Sequence, residues 1–232
     1  MKAIDKATIW IGALTAALLA ATAVLYARLP VSIPIHWDSA GAADGWAAKP
    51  WAFLLASSPV LATALVRIAA AVDPRYSNIK AREGTFVVVV VSVAALAASL
   101  HLITIVTALG LLEGTDLRLV PLATGLAFVA IGNVMPRLKW NYTVGIRLPW
   151  TLADEGVWRA THRFGGVAFV LAGLATAATA FMPERAARFV GGGAILSCVA
   201  ATTAYSYAVH RSRRDLGRNY IDSEGGNDEH RS

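Results

Sequence analysis

Charge is what this 232-residue chain has least of. Only 16% of its residues are Asp, Glu, Lys or Arg, against about a quarter in an ordinary water-soluble domain. Hydrophobic residues make up 56% and the mean hydropathy is +0.53, which puts the composition in the membrane class. Cysteine is nearly missing as well. Cys198 stands alone inside an apolar run, so an intramolecular disulfide is excluded, and the thiol reads as a small packing residue. The chain also lacks H-E-x-x-H, a P-loop and G-x-S-x-G, which removes the common signatures of zinc proteases, nucleotide hydrolases and serine hydrolases. No cofactor is expected. The net charge of +6 does not imply direct nucleic acid binding. The basic residues lie in short clusters between apolar runs rather than along one face.

What is present is a series of long apolar runs. A helix needs roughly 20 apolar residues to cross a hydrocarbon core about 30 Å thick. Six segments qualify: 7–27, 50–72, 85–112, 119–135, 164–182 and 189–209. The valine run 87–91 has strand composition, but the apolar character continues to Leu112, beyond strand length. No polar–apolar alternation marks a barrel, and in lipid only helices and closed barrels pair every backbone group. Small residues recur at helical spacing, as Gly12, Ala16 and Ala20 in the first span and Gly173 and Ala177 in the fifth. Such faces admit close helix–helix approach.

Orientation follows from Lys and Arg. With the N-terminus inside, sixteen of the 21 basic residues fall on the inner side, and only Arg28, Lys49, Arg118, Arg185 and Arg188 fall outside. The expected fold is therefore an all-α integral membrane protein. It is a bundle of about six transmembrane helices with a structured outer loop, an inner amphipathic interfacial helix and both termini cytoplasmic. Residues 1–214 form one six-span domain, with motif loops at 29–50 and 132–166. The polar segment 215–232 is expected to be a disordered cytoplasmic tail.

In the outer loop, Pro30 and Pro34 force an extended chain. Asp44-Gly45 signals a turn, and Gly41 suits a positive φ. Trp37, Trp46 and Trp51 suit headgroup level. His36, Asp38 and Asp44 bring an imidazole and two carboxylates into one short loop, a set that can hold a divalent cation or a cationic partner. His36 and Asp38 alternate along an extended chain and so share a face. A hydrogen-bonded scaffold is the alternative role.

In the inner loop, Thr151 is read as an N-cap with Asp154 at the third helical position, giving a short amphipathic helix from about Leu152 to Arg163. Glu155, Arg159, His162 and Arg163 then share one side, and Trp140, Trp150 and Trp158 anchor the helix at the interface. The arginines suit anionic lipid headgroups. Asn133, Asn141 and Thr151, beside Gly145 and Pro149, point instead to a specific backbone arrangement able to bind an anionic or peptide ligand.

Taken together, the two loops resemble the SdpI family of bacterial membrane proteins. Ile33-Pro34-Ile35-His36-Trp37-Asp38, Gly41, Asp44-Gly45-Trp46 and Lys49 are similar to the family's N-terminal domain of unknown function. Gly132-Asn133, Pro136, Asn141, Gly145-Ile146-Arg147, Pro149-Trp150-Thr151, Trp158 and Thr161-His162-Arg163 are similar to its signature, GN…P…N…GIR.PWT…W..THR. The resemblance spans nearly the whole chain, leaving out the polar tail. It implies a bacterial inner-membrane protein that confers immunity to an exported toxic peptide. Some members also signal, by holding a transcriptional repressor at the membrane. The family has no agreed catalytic residues. The resemblance thus makes His36, Trp37, Asp38, Asp44, Trp46, Asn133, Asn141, Arg147, Trp150, Thr151, Trp158, His162 and Arg163 candidates for binding a ligand or partner.

Three functions remain open on the sequence. The first is an immunity or signalling protein that meets an exported peptide or envelope component outside and a cytoplasmic regulator inside. The second is a metal-assisted membrane hydrolase using His36, Asp38 and Asp44. The third is a small-solute or proton-coupled transporter, for which His101 is the one ionisable residue well inside a span; an interhelical hydrogen bond is its plainer role. Arg67 can snorkel to the interface. The sequence specifies no oligomeric state.

Overall fold

The computed structural model describes residues 2–111 and 118–228, with side chains through Leu216. Its elements in chain order are α1 (Ala3–Leu25), β1 (Ser32–Trp37), β2 (Ala43–Ala48), α2 (Trp51–Ala71), α3 (Tyr76–Lys80), α4 (Glu83–Ala108), α5 (Leu119–Val134), α6 (Pro149–Ala153), α7 (Glu155–Ala178) and α8 (Glu184–Asp228). Among the described residues six helices are long and apolar enough to cross a membrane: α1, α2, α4, α5, α7 and α8. The chain is a multi-pass, all-α membrane protein. Large apolar side chains such as Trp10, Val24, Leu65, Leu126 and Leu171 are exposed on the helices, as expected of surfaces that face lipid.

The bundle has two lobes. In one, α1, α2 and α4 pack on each other; in the other, α7 lies between α5 and α8. The contact of α4 with α5 joins them. The tightest crossing is α5 against α7. A Cβ on Gly125 would stand 2.4 Å from the Gly173 carbonyl oxygen, and one on Gly132 would stand 2.8 Å from that of Gly166. Two glycine pairs, seven residues apart on each helix, thus bring the backbones together, and phenylalanines close the seam, Phe128 stacking on Phe169 at 5.1 Å. The small-residue face expected on α1 behaves differently. Nothing lies within 4 Å of a Cβ on Gly12, so that stripe makes no close crossing here. Pro59 sits inside α2, and the Thr63 hydroxyl donates to its carbonyl at 2.8 Å.

One expectation is corrected. The interfacial helix expected over 152–163 is the opening of α7, which runs unbroken into the fifth span. Thr151 is not its N-cap. Asp154 is, with an extended backbone and a carboxylate that accepts the N–H groups of Gly156 at 2.5 Å and Val157 at 3.1 Å. An Asp at the cap outcompetes an Asp inside the first turn. The structured outer loop is a β-hairpin, in keeping with the extension expected at its prolines. Helix α8 continues as helical backbone to Asp228, since an anchored helix propagates without a new nucleus. Residues 229–232, and Leu112 at the expected end of the third span, lie outside the described residues.

Candidate functional site

The hairpin is built by antiparallel pairing of β1 and β2, with irregular register around His36. Its inner side is fixed to the first lobe. Ile33 is fully buried against Leu29, Ala52 and Ile105, and the Pro34 carbonyl accepts the Thr104 hydroxyl at 3.1 Å. Its tip is fixed to the second lobe. Asp38 folds the turn by accepting the N–H groups of Ala40 at 2.8 Å and Ala42 at 3.0 Å through Oδ1. Its other oxygen, Oδ2, meets Arg188 Nη2 of α8 at 3.0 Å. The Ser39 hydroxyl donates to the Arg188 carbonyl at 3.2 Å. Gly41, at φ +82°, lies over Pro121 and Arg118. Arg118 in turn donates to the Met182 carbonyl at 2.6 Å.

This docking closes a cleft of about 340 Å³ between the hairpin and the ends of α5, α7 and α8. Trp37, Val120, Pro121 and Ile195 give it apolar walls; His36, Asp38, Ser39, Thr124 and Thr176 supply polar groups. Thr176 is 5% exposed and its hydroxyl has no hydrogen-bond partner among the described residues. A buried unpaired hydroxyl carries a cost that a bound group can relieve.

The three residues considered for a metal are not brought together. His36 Nδ1 lies 2.5 Å from Asp44 Oδ1, an exposed cross-strand pair. Asp38 is taken up by the turn and by Arg188. Among the described residues no group of three or more His, Cys, Asp or Glu side chains converges. Trp46 is exposed on β2.

The inner loop is a closed hydrogen-bonded unit around His162. This imidazole is 1% exposed, donates from Nδ1 to the Trp158 carbonyl at 2.8 Å, and accepts the Ile146 N–H through Nε2 at 3.0 Å. Trp158 is fully buried, stacks on His162 at 3.9 Å, and donates its indole N–H to the Leu138 carbonyl at 2.9 Å. It is a core residue, not the interfacial anchor expected of it. Thr151 accepts the Leu148 N–H at 2.9 Å and donates to the Ile146 carbonyl at 2.8 Å. Asn141 accepts the N–H groups of Thr143 and Val144 and donates to the Lys139 carbonyl. Trp150 donates to Ser206 of α8 at 2.6 Å. Arg147 is exposed and donates to the Tyr142 carbonyl at 2.9 Å, while Asn133 and Arg163 are exposed. The signature residues therefore divide: Asn141, Trp150, Thr151, Trp158 and His162 build the loop, and Asn133, Arg147 and Arg163 face outward.

Two carboxylates hold this unit to its neighbours: Asp73, which the motif reading passed over, and Asp154, which it placed inside the helix rather than at its cap. Asp73, after α2, accepts the Tyr142 N–H at 2.8 Å and the Thr143 hydroxyl at 2.7 Å, along with the Arg75 N–H. Burial alone would raise its pKa, but these hydrogen bonds outweigh it and hold the carboxyl below its ordinary value. Asp154 follows the same balance: burial raises it, while Arg213 and the Gly156 and Val157 N–H groups draw it below the ordinary value. The Arg75 guanidinium lies over Trp140 at 3.3 Å and near Tyr142 at 4.5 Å. Within the bundle, His101 Nε2 pairs with Thr22 at 3.0 Å and its Nδ1 has no partner among the described residues.

Asp73 and Arg75 carried a signal in the sequence, as charges flanking a proline between spans. Thr176 carried none, since one hydroxyl in an apolar run looks like any other.

Residues 137–208 match the model of the SdpI/YfhL protein family, and residues 13–58 match a domain of unknown function, DUF1648. Immunity protein SdpI of Bacillus subtilis (strain 168) is 28% identical over 158 residues, covering 68% of this chain and 73% of that protein. No solved structure matches the chain.

Proposed function

Because the chain belongs to the SdpI family, we propose that it is a multi-pass immunity protein of the bacterial cell membrane. In this reading both termini are cytoplasmic, and the hairpin cleft, on the outer face, recognises an exported toxic peptide or envelope component without chemistry on it. The observation that carries this reading is the composition of the cleft. His36, Trp37, Asp38 and Ser39 come from the first matched segment, while Thr176, Gly191 and Ile195 come from the second. Two segments far apart in the chain meet there as walls of one cleft. Apolar walls with a few fixed polar groups are what ligand sites usually offer.

A second role in signalling draws support from the opposite end. Arg147, Arg159 and Arg163 are exposed there beside the loop unit, an electrostatic surface for an acidic cytoplasmic regulator. For a metal-assisted hydrolase the His36, Asp38 and Asp44 set is dispersed, and for a transporter His101 is engaged with Thr22.

The test is deletion and complementation. A strain lacking the gene should become sensitive to an exported peptide of its host, and the wild-type gene should restore growth. Thr176→Val together with Trp37→Ala should accumulate in the membrane normally yet restore growth poorly. Unchanged sensitivity of the deletion strain to every exported peptide would remove the immunity reading.

A further inference from the structure

A second site lies at the other end of the bundle, where α1 and α4 begin and α2 ends. Lys2, Ile4, Arg67, Ala70, Ile79, Lys80, Glu83 and Phe86 are among the residues that surround a crevice of about 130 Å³ there. Its floor is apolar, with Ala70, Ile79 and Phe86 all buried in one cluster. Its rim is basic. The carboxylates nearby are already committed. Glu83 accepts the Ile4 N–H at 3.0 Å, stitching the start of α1 onto α4. Asp5 pairs with Arg67 at 3.6 Å. Arg67 also donates to the Thr8 hydroxyl and the Ile4 carbonyl, so its guanidinium is held in place. Lys2 and Lys80 are exposed, and among the described residues neither forms an ion pair.

We propose that this crevice binds the phosphate head of an anionic phospholipid, with Lys2, Lys80 and Arg67 as its cationic contacts. The site opens where three helices start or stop, which is headgroup depth for helices whose apolar surfaces face lipid. An apolar floor below a basic rim fits an amphiphile, with the phosphodiester at the lysines and the first acyl carbons toward Ile79 and Phe86. A basic pocket between helices is a known form of lipid-head recognition. A crevice this small admits a head group and excludes a helix or strand. The assignment does not depend on which ligand the hairpin cleft takes.

The test uses the full chain in nanodiscs of phosphatidylcholine alone, or with phosphatidylglycerol added, read by thermal unfolding and by lipid retained in native mass spectrometry. Phosphatidylglycerol should raise the Tm of the wild type and stay bound. Lys2→Gln with Lys80→Gln should lose retention by about fivefold per lysine and lose the Tm shift. An Arg211→Gln, Arg214→Gln chain, with the same charge removed elsewhere, should keep both. Equal retention in the two double variants overturns the site. An equal Tm shift from inorganic phosphate in phosphatidylcholine discs overturns the lipid as ligand in favour of a free anion.

Discussion

His162 Nε2 lies 3.0 Å from the backbone nitrogen of Ile146, and that one acceptor fixes how the inner loop returns to α7. Because an N–H can only donate, Nε2 accepts, and the proton sits on Nδ1 facing the Trp158 carbonyl. Gly145 precedes the contact at φ +129°, and a Cβ there would stand 2.3 Å from Nε2. Gly145→Ala should therefore cost about 2 kcal/mol or more, from the strained backbone and the displaced ring. His162→Ala should cost roughly 2–4 kcal/mol, since it opens a cavity beside Trp158 and orphans a buried N–H. Thermal unfolding in micelles, followed by tryptophan fluorescence, checks both. A Tm unchanged by either substitution would contradict the buried loop unit.

The glycines of the α5–α7 seam give a graded expectation. Gly125→Ala would meet backbone atoms of Gly173 and Ala177 at 2.4–2.5 Å, which only separation of the helices relieves. Overpacking of this kind costs roughly 1–3 kcal/mol. Gly12→Ala meets nothing within 4 Å and should leave the Tm within error. Equal effects at the two positions would mean that the helices do not cross as described.

The spans were legible because their signal is additive. Twenty apolar residues in lipid leave helix as the solution, and the first four runs fell within a few residues of the observed helices, while α7 starts before the fifth run and α8 extends beyond the sixth. The hairpin was half legible: Pro34 and Gly41 gave extension and a turn, but strand pairing depends on Ala43–Ala48, a segment with little strand character. Helix α7 was misjudged at its start because the polar residues 155–163 looked interfacial. Trp158 and His162 are instead buried by the returning loop, a long-range contact that local periodicity does not contain. The cleft was hidden for the same reason. Arg188 and Thr176 acquire their roles from Asp38 and Ser39, across most of the chain.

Acid should weaken the inner unit. Asp73 and Asp154 both titrate below the ordinary value of 3.8 when folded. A lowered folded pKa gives stability that is present above the unfolded value and lost as pH falls through the folded one. Wild-type Tm should thus hold its contribution from these groups at neutral pH and drop below about pH 4. Asp73→Asn should start lower at pH 7 and fall less on acidification. An identical acid limb in the variant would assign the loss to other groups.

Sidedness is checked by labelling. Ala42 and Ala153 are both exposed, and the native thiol of Cys198 is buried. With Cys198→Ser as background, a cysteine at Ala42 should react in intact cells with an impermeant maleimide. One at Ala153 should react only after permeabilisation. Reaction at both, or at Ala153 alone, would reverse or break the orientation set by the basic residues.

The docked tip of the hairpin offers the most direct test of the cleft. A Cβ on Gly192 would lie 4.0 Å from the Cβ of Ser39, inside the roughly 3.5–4.5 Å span of disulfides. Ser39→Cys with Gly192→Cys, again without Cys198, should cross-link on mild oxidation. The Asp38–Arg188 pair beside it is partly exposed and by itself worth under about 1 kcal/mol, so the tip is held by several small contacts. A covalent link should leave the cleft walls where they are. Protection against the cognate peptide should then survive oxidation, and Arg188→Ala, which loosens the tip, should weaken protection more than it lowers the Tm. If the cysteines fail to link, the tip does not rest on α8. If they link and protection vanishes until reductant is added, the working state is one in which the hairpin lifts from α8, and the docked cleft is its resting form.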